Sequence, residues 1–213
     1  MTKKYNEVIY HNREKNSYPE QLVELLCDEY LCYRDDKVLL DVGCGDKTFM
    51  KEFEKIGYRC EGIDSEVNFE TDAFPYPDNT FDYIFCKSVI EHVTNTDHFV
   101  SEIYRVLKKN GTVIIMTPSW EHVYRDFYND YTHVKPFYRK GLQDCLKIHE
   151  FKDVDVTYFY QLPFLWKHPK WSWVTKLVQL FPDSWKWKDK EETKHNKFIR
   201  FSKEAMLLGV ASK

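Results

Sequence analysis

The feature that most restricts how this chain can fold is an alternation of short apolar runs with segments whose apolar residues recur at helical spacing. Val38-Leu39-Leu40-Asp41-Val42 is such a run, closed by glycines, as expected of a strand buried inside a parallel sheet. Phe49, Met50, Phe53 and Ile56 then recur every three or four positions and stop at Gly57, which marks a helix and its C-terminal stop. A second strand is expected over 58–64 and a third over 81–86. Phe99, Val100, Ile103, Val106 and Leu107 make the stripe of a helix capped at Thr96-Asp97, and Asn110-Gly111 turns the chain into an apolar strand over 112–117. Upstream, Leu22, Leu25, Leu26 and Tyr30 place a helix over about 19–33. Strands alternating with helices imply βαβ units, so the expected fold is α/β, with a doubly wound, mostly parallel sheet. With 213 residues, 43% of them hydrophobic, the chain suits a single packed domain.

Ligands of such sheets bind beyond the carboxyl ends of the strands, and those ends carry unusual residues here. The first ends in Asp41-Val42-Gly43-Cys44-Gly45-Asp46. Glycines let the backbone turn sharply and let a ligand approach the main chain. Asp41 and Asp46 would repel a pyrophosphate, and Thr48 stands where a dinucleotide fingerprint needs its third glycine. Two acids suit a cationic ligand instead, and S-adenosylmethionine carries a sulfonium and an ammonium. The second strand ends in Asp64, about twenty residues on, where a carboxylate can accept from both ribose hydroxyls; the same residue could equally cap a helix. Asp72 could accept from an adenine amino group, with Phe74 packed near the ring.

The stretch from Leu39 to Trp120 resembles the class I S-adenosylmethionine-dependent methyltransferases, particularly small single-domain members. The residues that carry the likeness are Asp41-Val42-Gly43-Cys44-Gly45, then Asp72-Ala73-Phe74-Pro75-Tyr76-Pro77-Asp78-Asn79-Thr80-Phe81-Asp82, then Ile90-Glu91-His92-Val93, and Leu107-Lys108-Lys109-Asn110-Gly111. The resemblance implies a seven-stranded sheet whose last strand, about 205–211, is antiparallel. It implies S-adenosylmethionine as cofactor, with Gly43 and Gly45, flanked by Asp41 and Cys44, at its methionine part, Asp64 at the ribose and Asp72 with Ala73 at the adenine. It also places Lys87 and Ser88 along the cofactor near the reactive methyl. Lys47 stands where the family commonly has another glycine. Only seven residues separate Asp64 from Asp72, too few for the usual helix plus strand, so the helix should be missing or reduced to a turn and the adenine side open.

Residues 1–120 thus read as a cofactor-binding half and 121–213 as a substrate half. The segment from Tyr124 to Phe137 is similar to a D-x-T-H-x-x-P-F pattern of small methyltransferases, many associated with saccharide pathways. That likeness favours O-methylation of a hydroxylated small molecule such as a sugar, with an N- or carboxyl-methyltransferase, or a non-catalytic cofactor-binding subunit, as alternatives. An ordinary imidazole accepts protons near neutrality, so His133, oriented by Asp126 and Asp130, is the first candidate for general base and His92 the second. A helix over 138–149 and a strand over 154–159 should follow. Tyr138 and Glu150 replace the family's usual Ser or Thr and Gly.

An insertion over about 161–196 holds Trp166, Trp171, Trp173, Trp185 and Trp187. Trp173, Val174, Leu177, Val178 and Phe181 share one helical face, which reads as a lid or homodimer patch. Interleaved Lys167, Lys170, Lys176, Lys186, Lys188 and Lys190 also suit a peripheral membrane surface, or less readily nucleic acid. The net charge of −3 argues against a dedicated nucleic-acid binder. The cysteines (27, 32, 44, 60, 86, 145) lack zinc-ligand spacing, so no metal is expected and free thiols in a reducing cytoplasm are.

Overall fold

The structure, a computed structural model, describes residues 17–31, 36–188 and 195–213. The end of the helix expected over 19–33, Cys32 and Lys190 lie outside the described residues. Helix α1 (Tyr18–Tyr30) leads into β1 (Val38–Val42), α2 (Thr48–Ile56) and β2 (Arg59–Ile63). After a long loop come β3 (Phe81–Lys87), α3 (Thr96–Val106) and β4 (Leu107–Pro118). Helix α4 (Arg139–Ile148), β5 (Lys152–Tyr160), the short helices α5 (Pro163–Lys167) and α6 (Trp173–Val178), α7 (Lys197–Lys203) and β6 (Ala205–Ser212) complete it.

The sheet runs β2-β1-β3-β4-β6-β5. Strands β1 to β4 pair in parallel, and β6 enters antiparallel between β4 and β5. Alternate residues divide between two packed layers, as the pleat requires. Leu40, Val42, Ile84, Cys86, Val113 and Ile115 meet Phe99, Val100 and Ile103 of α3 and Leu142 and Leu146 of α4. Leu39, Tyr83, Phe85, Ile114 and Met116 meet Leu22, Val23 and Leu26 of α1 and Phe53 of α2. The helical spacings read from sequence are therefore largely the faces turned to the sheet, although Tyr30 of α1 is exposed. The cap of α3 lies one residue earlier than expected, at Asn95, whose side chain accepts from His98 N.

The sheet has six strands among the described residues rather than seven. The missing strand would have lain outside β2, and eight residues from Asp64 to Thr71 cannot go out and return. A loop takes its place and is held by side chains instead of a ladder. Phe69 and Phe74 pack on Phe99 of α3, with ring centroids 5.3 and 6.0 Å away. Glu102 Oε2 accepts from Phe74 N at 2.7 Å, and Arg105 donates to the carbonyls of Phe74 and Tyr76. Glu70 accepts the amides of Thr94 and Asn95 at 2.8 and 2.6 Å.

In the segment read as an insertion, the apolar helical face stays largely open. Helix α6 buries Thr175 and Val178, while Trp173, Leu177 and Phe181 are exposed. Its anchor is Trp166, which packs on Phe159 and Tyr18 and donates to Tyr160 O at 2.8 Å. Buried Lys186 pairs with Asp126 and with Glu204, while Arg125 pairs with Asp183. The insertion thus braces the loop after β4. No helix among the described residues is long and apolar enough to cross a membrane.

Candidate functional site

The chain leaves β1 for β2 on one side and returns to β3 on the other, so the strand order reverses at β1. A crevice forms where strands diverge in this way. Here it is a cleft of about 400 Å³ lined by Gly43 and Gly45 after β1, Asp64 after β2, Lys87 at the end of β3 with Ser88 after it, and by Asp72 and His92. Residues 65–70 of the loop that replaces the missing strand complete its wall, with Val89 and Val93 opposite.

The glycine turn is tied to the neighbouring strand: the amides of Gly43 and Cys44 donate to Ile63 O at 2.7 and 3.2 Å. Gly43 has φ +77°, and a Cβ there would lie 2.2 Å from Val89 Cγ2. Gly45 has φ +50° and nothing within 4 Å of such a Cβ, so its bare backbone faces the cleft. Lys47 adopts φ 62° without being glycine and is exposed. Asp46 is spent locally, its Oδ1 accepting from Thr48 N at 3.0 Å at the start of α2.

Asp41 sits beneath this turn, 3% exposed, with Oδ2 buried and without a hydrogen-bond partner. Burial, then the neighbouring charges of Asp64 and Asp46, push its carboxyl up to about 7. Asp41 does not itself line the cleft, but an unsatisfied buried acceptor is costly, and a cationic donor reaching beneath the turn would relieve it. Cys44 does not line the cleft; its Sγ lies against Gly62, 2.8 Å from where a Cβ there would stand. Phe74 belongs to the core, 2% exposed, and neither it nor Ala73 lines the cleft. Asp72 does line it, while its two oxygens accept from Asn68 N and Thr71 Oγ1, both at 3.0 Å. Lys87 ends β3 over the ring of Phe49, and Ser88 follows in a left-handed conformation with φ 59°.

The far end of the cleft carries a polar cluster that connects two distant segments. Glu91 O accepts the amides of Val134 and Lys135 at 2.9 and 3.0 Å, which brings the loop after β4 against the turn Ile90–His92. His133 thereby meets His92 edge-on, with ring centroids 4.7 Å apart. Asp126 and Asp130 do not orient His133 as expected. Its Nδ1 instead faces Phe127 O at 2.6 Å, while Asp126 is drawn to Lys186. Asp130 acts on His92 through Thr132, whose Oγ1 lies 2.6 Å from Asp130 Oδ1 and 2.8 Å from His92 Nδ1. A carboxylate can only accept, so Thr132 gives its proton to Asp130 and takes one from His92 Nδ1–H. A carbonyl likewise requires Nδ1–H on His133. Both imidazoles therefore carry their lone pair on Nε2. His92 lines the cleft and His133 is set behind it. Burial and then His133 push the His92 imidazole down to about 4.

Sequence reasoning gave no separate role to Glu91 or Thr132, and set Asp130 beside His133 rather than behind His92. Glu91 is fully buried, with Oε2 accepting from Thr117 Oγ1 at 2.9 Å and Oε1 without a partner. Burial, opposed by its own amide and by Thr117, pushes its carboxyl up to about 7. The one available signal was a carboxylate inside the apolar run Val89-Ile90-Glu91-His92-Val93.

Residues 11–156 match a family model described as a methyltransferase domain. The chain belongs to that family. This methyltransferase-family chain is 32% identical over 142 residues to ajmaline N-methyltransferase of Rauvolfia serpentina, covering 52% of the present chain and 47% of the relative. It is also 32% identical over 98 residues to the ubiquinone biosynthesis O-methyltransferase of Pelagibacter ubique, covering 37% and 41%. The chain thus spans less than half the length of these two relatives. Among solved structures, a SAM-dependent methyltransferase from Archaeoglobus fulgidus superposes with a TM-score of 0.63 at 20% identity, covering 99% of this chain and 98% of that one. That likeness carries the fold alone, and it extends over nearly the whole chain.

Proposed function

We propose that this chain transfers a methyl group from S-adenosylmethionine to a small-molecule acceptor, and that the accepting atom is an oxygen. The observation that carries the first half is the partnerless Asp41 Oδ2 beneath an acid-rimmed cleft at the sheet's switch point. The residues present fit the group. Asp41 would answer the ammonium, the bare turn at Gly43 and Gly45 would admit the methionine part, Asp64 the ribose and Asp72 the adenine side. Bound there, the cofactor supplies a methyl carbon already activated by its sulfonium. The protein's own task is then to hold the acceptor in line, about 3–3.5 Å from that carbon, and to deal with its proton.

His92 supports the choice of oxygen. Its Nδ1–H is held by Thr132 and Asp130, so its Nε2 is the basic atom of a ring that lines the cleft. A hydroxyl must lose a proton as it is methylated, whereas a neutral amine can lose its proton afterwards. His133 backs His92 by ring contact and stands as its partner. The N-methyltransferase relative favours nitrogen as a second reading.

Calorimetry with S-adenosylhomocysteine and with NAD tests the cofactor: the first should bind and the second should not. Asp64→Ala should cost about 1.5–3 kcal/mol of S-adenosylhomocysteine affinity by removing a charge-assisted hydrogen bond. NAD binding without S-adenosylhomocysteine binding would overturn the proposal. Transfer of a labelled methyl to hydroxylated and to amine acceptors separates the two readings, since only one panel should take up label.

A further inference from the structure

The cluster at the acceptor end has a composition that proton transfer alone does not require. A carboxylate oxygen of Glu91 and one ring nitrogen from each of His92 and His133 all lie within 4.8 Å of one another. We propose that these three residues form a divalent-cation site, taking an ion of the borderline class such as Mn²⁺, Fe²⁺ or Zn²⁺ through one carboxylate oxygen and two imidazole nitrogens.

Three independent features of the geometry point to an ion. Glu91 is 0% exposed and its Oε1 has no hydrogen-bond partner, although Oε2 is taken by Thr117 at 2.9 Å. A buried carboxylate left half-satisfied is expensive, and a cation is the partner that answers both the charge and the lone pair. Each histidine, moreover, has its Nδ1 engaged by a fixed acceptor, Thr132 Oγ1 at 2.8 Å for His92 and Phe127 O at 2.6 Å for His133. Metal-ligating imidazoles show this arrangement, because the outer bond sets the tautomer and aims the other nitrogen. Finally, the backbone bonds from Val134 and Lys135 to Glu91 O hold the two ligand-bearing segments together. Two imidazoles and a carboxylate on one side leave coordination positions for water or substrate, and nitrogen ligands favour first-row transition ions and zinc over calcium or magnesium.

The ion's role rests on the methyl-transfer reading, but its binding does not. In that role it would hold the acceptor oxygen and lower its pKa. His92 Nε2 would then be a ligand, so the acceptor's proton would pass to water rather than to the imidazole.

The test is titration of chelator-treated protein with Mn²⁺ followed by electron paramagnetic resonance, and with Zn²⁺ by calorimetry. One ion per chain is expected, together with a rise in melting temperature. His133→Asn, on a loop, and Glu91→Gln should each weaken binding about tenfold or more, and Thr132→Val should weaken it through the imidazole it orients. If Glu91→Gln fails to fold, His133→Asn decides. No stoichiometric ion in the wild-type protein, or unchanged affinity in His133→Asn, overturns the site. Methyl transfer that persists in excess chelator, with intact S-adenosylhomocysteine binding, removes the ion's role while leaving the methyl-transfer reading standing. Loss of S-adenosylhomocysteine binding with Mn²⁺ still bound does the reverse.

Discussion

Replacing Gly43 by alanine should destabilise the fold, whereas the same replacement two residues on, at Gly45, should chiefly damage ligand binding. Both glycines hold positive φ, +77° and +50°, so each alanine bears a left-handed backbone cost of about 1–2 kcal/mol. They differ in what the added carbon meets. At Gly43 it would stand 2.2 Å from Val89 Cγ2, roughly 1.5 Å inside ordinary carbon–carbon contact. Val89 is buried and β-branched, so it cannot easily turn away, and overpacking adds about 1–3 kcal/mol. The total is about 2–5 kcal/mol for Gly43→Ala against about 1–2 kcal/mol for Gly45→Ala. At Gly45 the methyl enters open space in the cleft, where it takes room from the ligand. Equilibrium urea unfolding followed by tryptophan fluorescence measures the first effect, and calorimetry with S-adenosylhomocysteine the second. Val89→Ala removes the clashing carbon, so a double-mutant cycle of Gly43→Ala with Val89→Ala should show a favourable coupling of about 1–3 kcal/mol. Additivity within about 0.5 kcal/mol would mean that Val89 does not decide Gly43, and the steric argument would fall.

Two further predictions concern stability. Asp82 accepts from Lys108 and Lys37 at 2.8 and 2.9 Å and from Val38 N at 3.1 Å; burial opposes these bonds, which prevail and hold its carboxyl down at about 2. A depressed carboxyl contributes stability that is complete above its ordinary value of 3.8 and lost as pH falls towards 2, here about 1–2 kcal/mol after solvent screening. Acid titration of the unfolding free energy should show this slope in the wild type and lose it in Asp82→Asn. Glu150, at φ +66° after α4, carries a left-handed cost that glycine avoids. Glu150→Gly should therefore raise the melting temperature, by about 0.5–1 kcal/mol of net stabilisation once unfolded-chain entropy is subtracted. A lower melting temperature would refute it.

The legibility of the site followed the distance over which each part is determined. That the glycine turn, Asp64 and Lys87 would meet at one cleft was readable because such a cleft is built at strand ends, and strand ends are marked by local residues. Phe74 was misjudged because its neighbours in sequence do not reveal that Phe69 and Phe99 close around it. The orientation of His133 was misjudged for a related reason. Asp126 is close in the chain, but Lys186, sixty residues away, claims it. No spacing rule could have found Glu91, His92 and His133 together, since His133 is brought in by the backbone bonds of Val134 and Lys135 to Glu91, across some forty residues.

The sequence by itself determined the layers and their order: apolar runs of strand length between helical stripes leave an α/β sheet as the arrangement that buries them all. It also showed that the seven residues between Asp64 and Asp72 leave no room for the usual helix there; that the strand is absent as well appeared only in the fold. Tertiary structure alone decided what stands in that place, a loop fastened to α3 by Glu102, Arg105 and Glu70. It decided too that the aromatic segment braces the loop after β4 and leaves Trp173 and Leu177 exposed while burying Val178. Periodicity reports that a face is apolar; which surface covers it depends on contacts between segments far apart in the chain, and those exist only once the chain has folded.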